Sequence, residues 1–285
     1  MSQPRILLSN DDGIHARGLR TLAESLRDLG EVWVVGPDRE RSATSHSISL
    51  HHPLRIREVG ERRFAVDGTP TDSVYLALHH VLPAPPDIVF SGINHGPNLG
   101  NDVLYSGTVS AAMEGALFGH RAVAISLCLS ERSRKRESSP HFEAAGEVAR
   151  RIFHGVMANS MPPGVLLNIN VPDLPFDALG GTRLCRLGFN DWAEAVTERR
   201  DPRNRPYYWI GGSRNARDDV DGSDVNAIND GLVSITPIHY DLTDYRSFAY
   251  VRQLELRGIE QIEDGLGDGA LEHPVHPRRS PSDRG

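Results

Sequence analysis

From Arg5 onward, short apolar runs alternate with longer stretches in which apolar residues recur every three or four positions. Ile6 to Leu8 predict a first strand, and Leu19, Leu22, Ala23, Leu26 and Leu29 predict a helix that stops at Gly30. Val32 to Val35 make a second strand, and Leu54 to Val59 with Arg63 to Val66 read as a hairpin. Thr69-Pro70-Thr71-Asp72 then supplies a cap, a proline at the first helical position and an acid at the third, ahead of Val74, Ala77, Leu78 and Val81. Asp87 to Phe90 is a strand, and a polar loop from Ser91 to Gly107 leads into a helix with Val109, Ala112, Met113, Ala116 and Leu117 along one stripe. Ala122 to Leu127 is the next strand, Ser130 to Ser139 a charged surface linker. Ser139-Pro140 opens a helix burying Phe142, Ala145, Ala149, Ile152 and Phe153, and Val165 to Val171 closes the series. Strands alternating with amphipathic helices predict a mostly parallel sheet covered on both faces.

Beyond Pro172 the helical period stops and the pattern turns β-like. Polar Thr197 to Arg205 next to apolar Tyr207-Tyr208-Trp209-Ile210 suggests an exposed hairpin, Gly231 to Ile238 a strand, and Arg246 to Ile262 fits strand or helix equally. The chain therefore divides into an α/β core over 1–172, a β-rich arm with returning elements over 173–263, and a polar, disordered tail over 264–285.

Composition narrows the classes. At 285 residues, 39% hydrophobic and 24% charged, the chain is long and apolar enough for a sizeable core, which excludes a disordered chain or a small disulfide-stapled module. A formal charge of −7 gives no positive field to gather a nucleic-acid polymer. No stretch approaches the roughly 20 apolar residues of a membrane span, so no membrane partner is expected. Cys128 and Cys185 sit apart in apolar surroundings, as buried free thiols would, and the N-terminus lacks a signal-peptide core, so a cytoplasmic location is expected.

The candidate chemistry gathers at strand ends. Asn10-Asp11-Asp12-Gly13 follows the first strand, and in open α/β sheets ligands bind at such carboxyl ends. Adjacent carboxylates repel unless a proton or cation intervenes, and hard divalent cations prefer oxygen ligands. An Asx-rich turn capped by Asp12 accounts for the same four residues equally well. Gly36 to Ser47, after the second strand, carries hydroxyls, Arg39, Arg41 and His46, and is longer than a connection requires. Ser91 to Gly100 holds Asn94, His95 and Asn98, and Ser106-Gly107-Thr108 precedes a helix, where a simple N-cap and a phosphate site use the same residues. No His pair has metal-ligand spacing, and neither a dinucleotide fingerprint after the first strand, a P-loop, HExxH nor GxSxG occurs.

The segments Ile6-Leu-Leu-Ser-Asn-Asp-Asp-Gly13, Val35-Gly-Pro-Asp-Arg-Glu-Arg-Ser-Ala43, Gly68-Thr-Pro-Thr-Asp72, Ser91-Gly-Ile-Asn-His-Gly-Pro-Asn98 and Tyr105-Ser-Gly-Thr-Val109, in this order, resemble the survival protein E family of metal-dependent 5′-nucleotidases. The resemblance extends from about residue 5 to about residue 255 and takes in Tyr207-Tyr-Trp209 and Ser234-Ile-Thr-Pro237. It implies a Rossmann-like three-layer α/β sandwich with a smaller C-terminal β-rich oligomerisation segment. It further implies one divalent ion per subunit, Mg2+ or Mn2+, on Asp11, Asp12, Ser42 and Asn94, with substrate phosphate meeting Asn98, Ser106, Gly107 and Thr108. Catalytic roles fall to Asp11, Asp12 and Asn98. Two anionic oxygens attract the ion, while a hydroxyl and an amide complete the shell without adding repulsion toward a phosphate. The implied reaction is hydrolysis of nucleoside 5′-monophosphates, with water favoured over an aspartate as nucleophile because a carboxylate on a metal is a poor one. A nucleotide sensor without turnover, and a broader phosphatase or exopolyphosphatase, are the alternative readings. The implied assembly is a homodimer or homotetramer built through the Tyr207 to Ile210 arm, the alternative being a hairpin folded back on its own subunit. Ser45 departs from the family, which often has Gly there.

Overall fold

The computed structural model describes residues 3–189, 196–210 and 220–254. In chain order the elements are β1 (Arg5–Ser9), α1 (Arg17–Leu26), β2 (Glu31–Pro37), β3 (Ile56–Gly60), β4 (Arg63–Val66), α2 (Pro70–Leu76), β5 (Ile88–His95), α3 (Gly107–Leu117), β6 (Arg121–Cys128), α4 (Glu131–Arg134), α5 (Phe142–Ala158), β7 (Val165–Pro172), β8 (Thr182–Leu184), β9 (Val196–Arg200), β10 (Pro206–Ile210), α6 (Asp224–Asn229), β11 (Val233–His239) and α7 (Phe248–Arg252). A nine-stranded sheet runs in the order β3-β4-β2-β1-β5-β6-β7-β11-β8, and β9 pairs with β10 in a separate antiparallel ribbon. The strands from β4 across to β7 are parallel. β3 joins antiparallel at one side, β11 pairs antiparallel with β7 at the other, and β8 lies parallel to β11.

Strand alternation sets the layers. Ile6, Leu8, Val34, Ile88, Phe90, Val123 and Ile125 face α1 and α5, sharing a core with Leu19, Leu22, Phe142 and Ala149. Their neighbours Leu7, Val35, Val66 and Val89 point the other way, toward Val74 of α2 and Ala111 of α3. A sheet buried on both faces leaves each strand apolar at nearly every position, which is why the runs read as continuous. The result is the three-layer α/β sandwich that the alternation predicts. The α2 start is a full capping box, with Thr69 Oγ1 accepting from the Asp72 N–H and the Asp72 carboxylate accepting from the Thr69 N–H.

Four readings need correction or completion. Ser130 to Ser139 is not all linker, since Ser130 caps the single turn of α4. The helix after it begins at Phe142, later than Ser139-Pro140 suggests, with His141 at the cap position. The β-like stretch contains a buried helix, α6, whose six residues are too few to display a period and which is held by the Ser223 cap and by packing on β11. Within Arg246 to Ile262, the described portion is helical through α7, and residues 255–262 lie outside the described residues, as does the 264–285 tail. Hairpin β9–β10 is exposed at every position. Cys128 and Cys185 are buried free thiols.

Candidate active site

β1 and β5 are adjacent and parallel, with Ser9 opposite Ser91, yet the connections after them diverge: α1 follows β1 on one face and α3 follows β5 on the other. Between their carboxyl ends lies the crevice in which open α/β sheets place ligands. A cavity of about 1140 Å³ opens there, and Asp11, Asp12, Ser42, Asn94, Asn98 and Ser106 all line it. Gly107 and Thr108 stand behind Asp11 and form no part of the lining.

Asp11 is only 5% exposed. Its Oδ1 accepts the Thr108 hydroxyl proton at 2.5 Å, so that hydroxyl is committed to a carboxylate. Burial, reinforced by the neighbouring Asp12 charge, pushes the Asp11 carboxyl from its ordinary 3.8 up to about 6, against the lowering effect of Thr108. Asp12 is half-buried and is also raised, by burial first and by the Glu40 charge, although the His95 N–H donates to its Oδ2 at 3.0 Å. Among the described residues neither aspartate has a cationic partner. Gly107 allows the close approach: a Cβ there would lie 2.7 Å from Asp11 Cβ and 2.9 Å from its Oδ2. Gly107→Ala should therefore displace the carboxylate and lower activity roughly a hundredfold, as ångström-scale misplacement does. Unaltered activity in a folded Gly107→Ala protein would show that the approach is not required.

The neutral members are oriented by their hydrogens. Asn94 Nδ2 donates to the Gly96 carbonyl at 2.9 Å, which leaves its Oδ1 as the acceptor toward the cavity. Ser42 donates its proton to Glu40 Oε1 at 2.8 Å, which frees the oxygen's lone pairs. Two carboxylates, one amide oxygen and one hydroxyl oxygen, all hard donors around an uncompensated negative charge, fit a divalent cation of the magnesium or manganese type. Glu40 and Asp102 add further negative charge to the lining, so a phosphate would be repelled without such a cation.

Asn98 is held from below. Its N–H donates to Asn170 Oδ1 at 2.9 Å, and its carbonyl accepts from Asn168 Nδ2 at 2.9 Å and Asn170 Nδ2 at 3.0 Å. Asn98 Nδ2 donates to Ser126 Oγ at 2.8 Å, leaving a second hydrogen on the same nitrogen. At α3, Ser106 Oγ accepts from the Val109 N–H at 3.0 Å, and the hydroxyl proton has no acceptor among the described residues. Several participants escape sequence reading. Asn168 and Asn170 are marked only by two buried amides at alternate positions of an otherwise apolar strand. Glu114, 4% exposed within α3, meets His46 Nε2 at 2.7 Å, a pairing across 68 positions that no local pattern announces. Arg17 and Phe142 also line the cavity, with the guanidinium 5.2 Å from the ring centroid.

Fold and site together define a doubly wound α/β protein with a cluster of oxygen donors, suited to a divalent cation, at its topological switch point. Residues 6–194 match the family model described as survival protein SurE, and the chain belongs to that family. It is 49% identical over 248 residues to the "5′-nucleotidase SurE" of Geobacter metallireducens, covering 87% of this chain and 96% of that protein. The protein of the same name from Anaeromyxobacter dehalogenans strain 2CP-C is 52% identical over 261 residues, covering 90% of this chain and 98% of the other. The crystal structure of the SurE protein from Aquifex aeolicus superposes with a TM-score of 0.78 at 38% identity, over 87% of this chain and 98% of that one.

Proposed function

We propose that the chain is a 5′-nucleotidase, a phosphomonoesterase that hydrolyses nucleoside 5′-monophosphates to nucleoside and phosphate. The observation that carries this reading is the pair Asp11–Asp12, adjacent, substantially buried and without a cationic partner among the described residues, in a chain about half identical to proteins bearing that name. Asp11, Asp12, Ser42 and Asn94 are the residues that would hold one divalent ion per subunit. When bound, Mg2+ or Mn2+ supplies Lewis-acid polarisation of phosphoryl oxygens and makes water a better nucleophile near neutral pH.

The chain's own residues supply the rest. Ser106 Oγ directs its unclaimed proton, and Asn98 Nδ2 its second hydrogen, toward the phosphoryl oxygens, where donors aimed at developing charge count most. The Asn168–Asn170 clamp keeps Asn98 from reorienting as charge moves. Gly107 and Thr108 act through Asp11, which they position, and so reach the phosphate indirectly. Exposed Tyr207, Tyr208, Trp209 and Ile210 on β10 support assembly into a homodimer or homotetramer, for which light scattering after size exclusion is the measurement. No helix among the described residues is long and apolar enough to cross a membrane, and the two buried free thiols support a cytoplasmic place.

The test is phosphate release from a panel of nucleoside 5′-monophosphates, short polyphosphate and an aryl phosphate, with manganese, magnesium or chelator. Fastest release from a 5′-monophosphate, abolished by chelator, is the expected result. Nucleotide binding with no release from any substrate would replace the enzyme with a sensor.

A further inference from the structure

Beside the active-site cavity lies a second one of about 780 Å³, formed over α4 and the turn that follows it. The two linings have only His95 and Pro140 in common. His95 thus borders both cavities: its N–H is on Asp12 Oδ2, and its ring stacks 6.1 Å from that of Phe142. The second cavity is lined by Arg134 and Arg136 together with Ser133, Ser138 and Ser139, opposed by one acid, Glu137. Unlike Lys135, whose Nζ pairs with Glu131 at 2.6 Å, neither guanidinium has a hydrogen bond or ion pair among the described residues. Two free guanidinium forks beside hydroxyl groups match a phosphate in both charge and hydrogen-bond geometry.

We propose that this cavity is a second phosphate subsite, and that the preferred substrates include nucleosides phosphorylated on both sides of the ribose, such as 3′,5′-bisphosphates. The inference rests on the reading of the Asp11–Asp12 cavity as the nucleotidase centre. The phosphate to be cleaved occupies that centre, and the second binds Arg134 and Arg136 in the adjoining cavity, past His95 and Pro140. Because Asp11 and Asp12 line only the first cavity and Arg134 and Arg136 only the second, the two phosphates need a spacer between them. A ribose provides one, whereas the bridging oxygen of a 5′-diphosphate holds its phosphates directly together. The active-site lining is net acidic, so a second anion has no cationic residue there comparable with the Arg134–Arg136 pair.

The experiment compares adenosine 3′,5′-bisphosphate, AMP and ADP as substrates of the full-length protein with manganese, alongside the double variant Arg134→Gln/Arg136→Asn. Asparagine is chosen at 136 because that residue has a φ of 60°, which asparagine tolerates. Both residues are exposed, so the double variant should keep the fold. Two lost charge-assisted contacts should lower kcat/KM for the bisphosphate about tenfold or more while leaving AMP unchanged. Arg132→Gln, which removes the same charge outside the cavity lining, should leave both values unchanged. The subsite is overturned if the bisphosphate-to-AMP ratio survives the double variant, or if Arg132→Gln lowers it equally. An arginine-dependent gain seen with ADP and not with the bisphosphate overturns the ribose-spanning assignment. Calorimetric titration of the same ligands separates this proposal from the one beneath it. Tenfold weaker bisphosphate binding to the double variant, with no turnover of any substrate, would support the subsite and sink the nucleotidase reading.

Discussion

Asp11→Asn is expected to lower kcat/KM by on the order of 10³ or more while making the metal-free protein more stable at pH 7. The two effects share a cause. In the folded protein the Asp11 carboxyl is raised from 3.8 to about 6, so between those values the native state binds a proton that the unfolded chain does not. Stability of the metal-free protein therefore falls as pH rises from about 4 to about 6, and stays lower above that. The shift corresponds to roughly 3 kcal/mol at pH 7. The amide is neutral and nearly isosteric, and its oxygen still accepts the Thr108 proton, so it removes the charge without opening a cavity. Chemical denaturation with chelator present should show the variant more stable at pH 7 and equal to wild type near pH 4. By the same linkage, manganese affinity of the wild type should weaken as pH drops below about 6, where the ion competes with the proton. A variant that is less stable than wild type at pH 7, or that keeps full activity, would contradict the assignment of Asp11 as an ion-holding carboxylate.

The second large effect lies outside the cavity. Asp224, fully buried at the start of α6, accepts the Gly100 N–H on Oδ2 and the Gly188 and Val225 N–H groups on Oδ1, each at 2.9 Å. It joins α6 to the turn just after Asn98 and to the segment following β8. Asp224→Ala strands three N–H donors at once, two of them buried, and should destabilise by about 3–5 kcal/mol, lowering Tm by roughly 10 °C for a chain of this size. Asp224→Asn retains one acceptor oxygen but turns an N–H toward Gly100. It should cost less stability than the alanine and still reduce activity, because the released turn is the one that carries Asn98. Thermal melts with kcat measurements on both variants check this order. Equal melting points for wild type and Asp224→Ala would show that the contact adds nothing.

The core and much of the site can be read along the chain because their signals are local. Strand alternation in Ile6-Leu7-Leu8, the helical stripe from Leu19 to Leu26, and the Thr69–Asp72 capping box depend on residues within a few positions of each other, and the structure keeps each of them. Asp11-Asp12, Ser42, Asn94 and Asn98 stand out as polar residues at or beyond the carboxyl ends of strands, and six of the eight candidate residues line one cavity. The short helix α6 escaped because six residues make fewer than two turns, too few for an apolar spacing to recur, and its buried Asp224 draws two of its three partners from 36 and 124 positions away.

Residue by residue, the chain determined where apolar faces lie and which oxygen donors end each strand, since periodicity and capping act over one or two turns. Tertiary structure alone decided which partners those donors meet. Packing of β1 against β5 buries Asp11 beside the α3 terminus and sets the Thr108 hydroxyl on its carboxylate. Packing of β7 sets Asn168 and Asn170 under Asn98, and α4 with the turn after it brings Arg134 and Arg136 into a cavity that His95 also lines. Desolvation and hydrogen-bond commitment are properties of the assembled neighbourhood, and no stretch of sequence contains the neighbours that impose them.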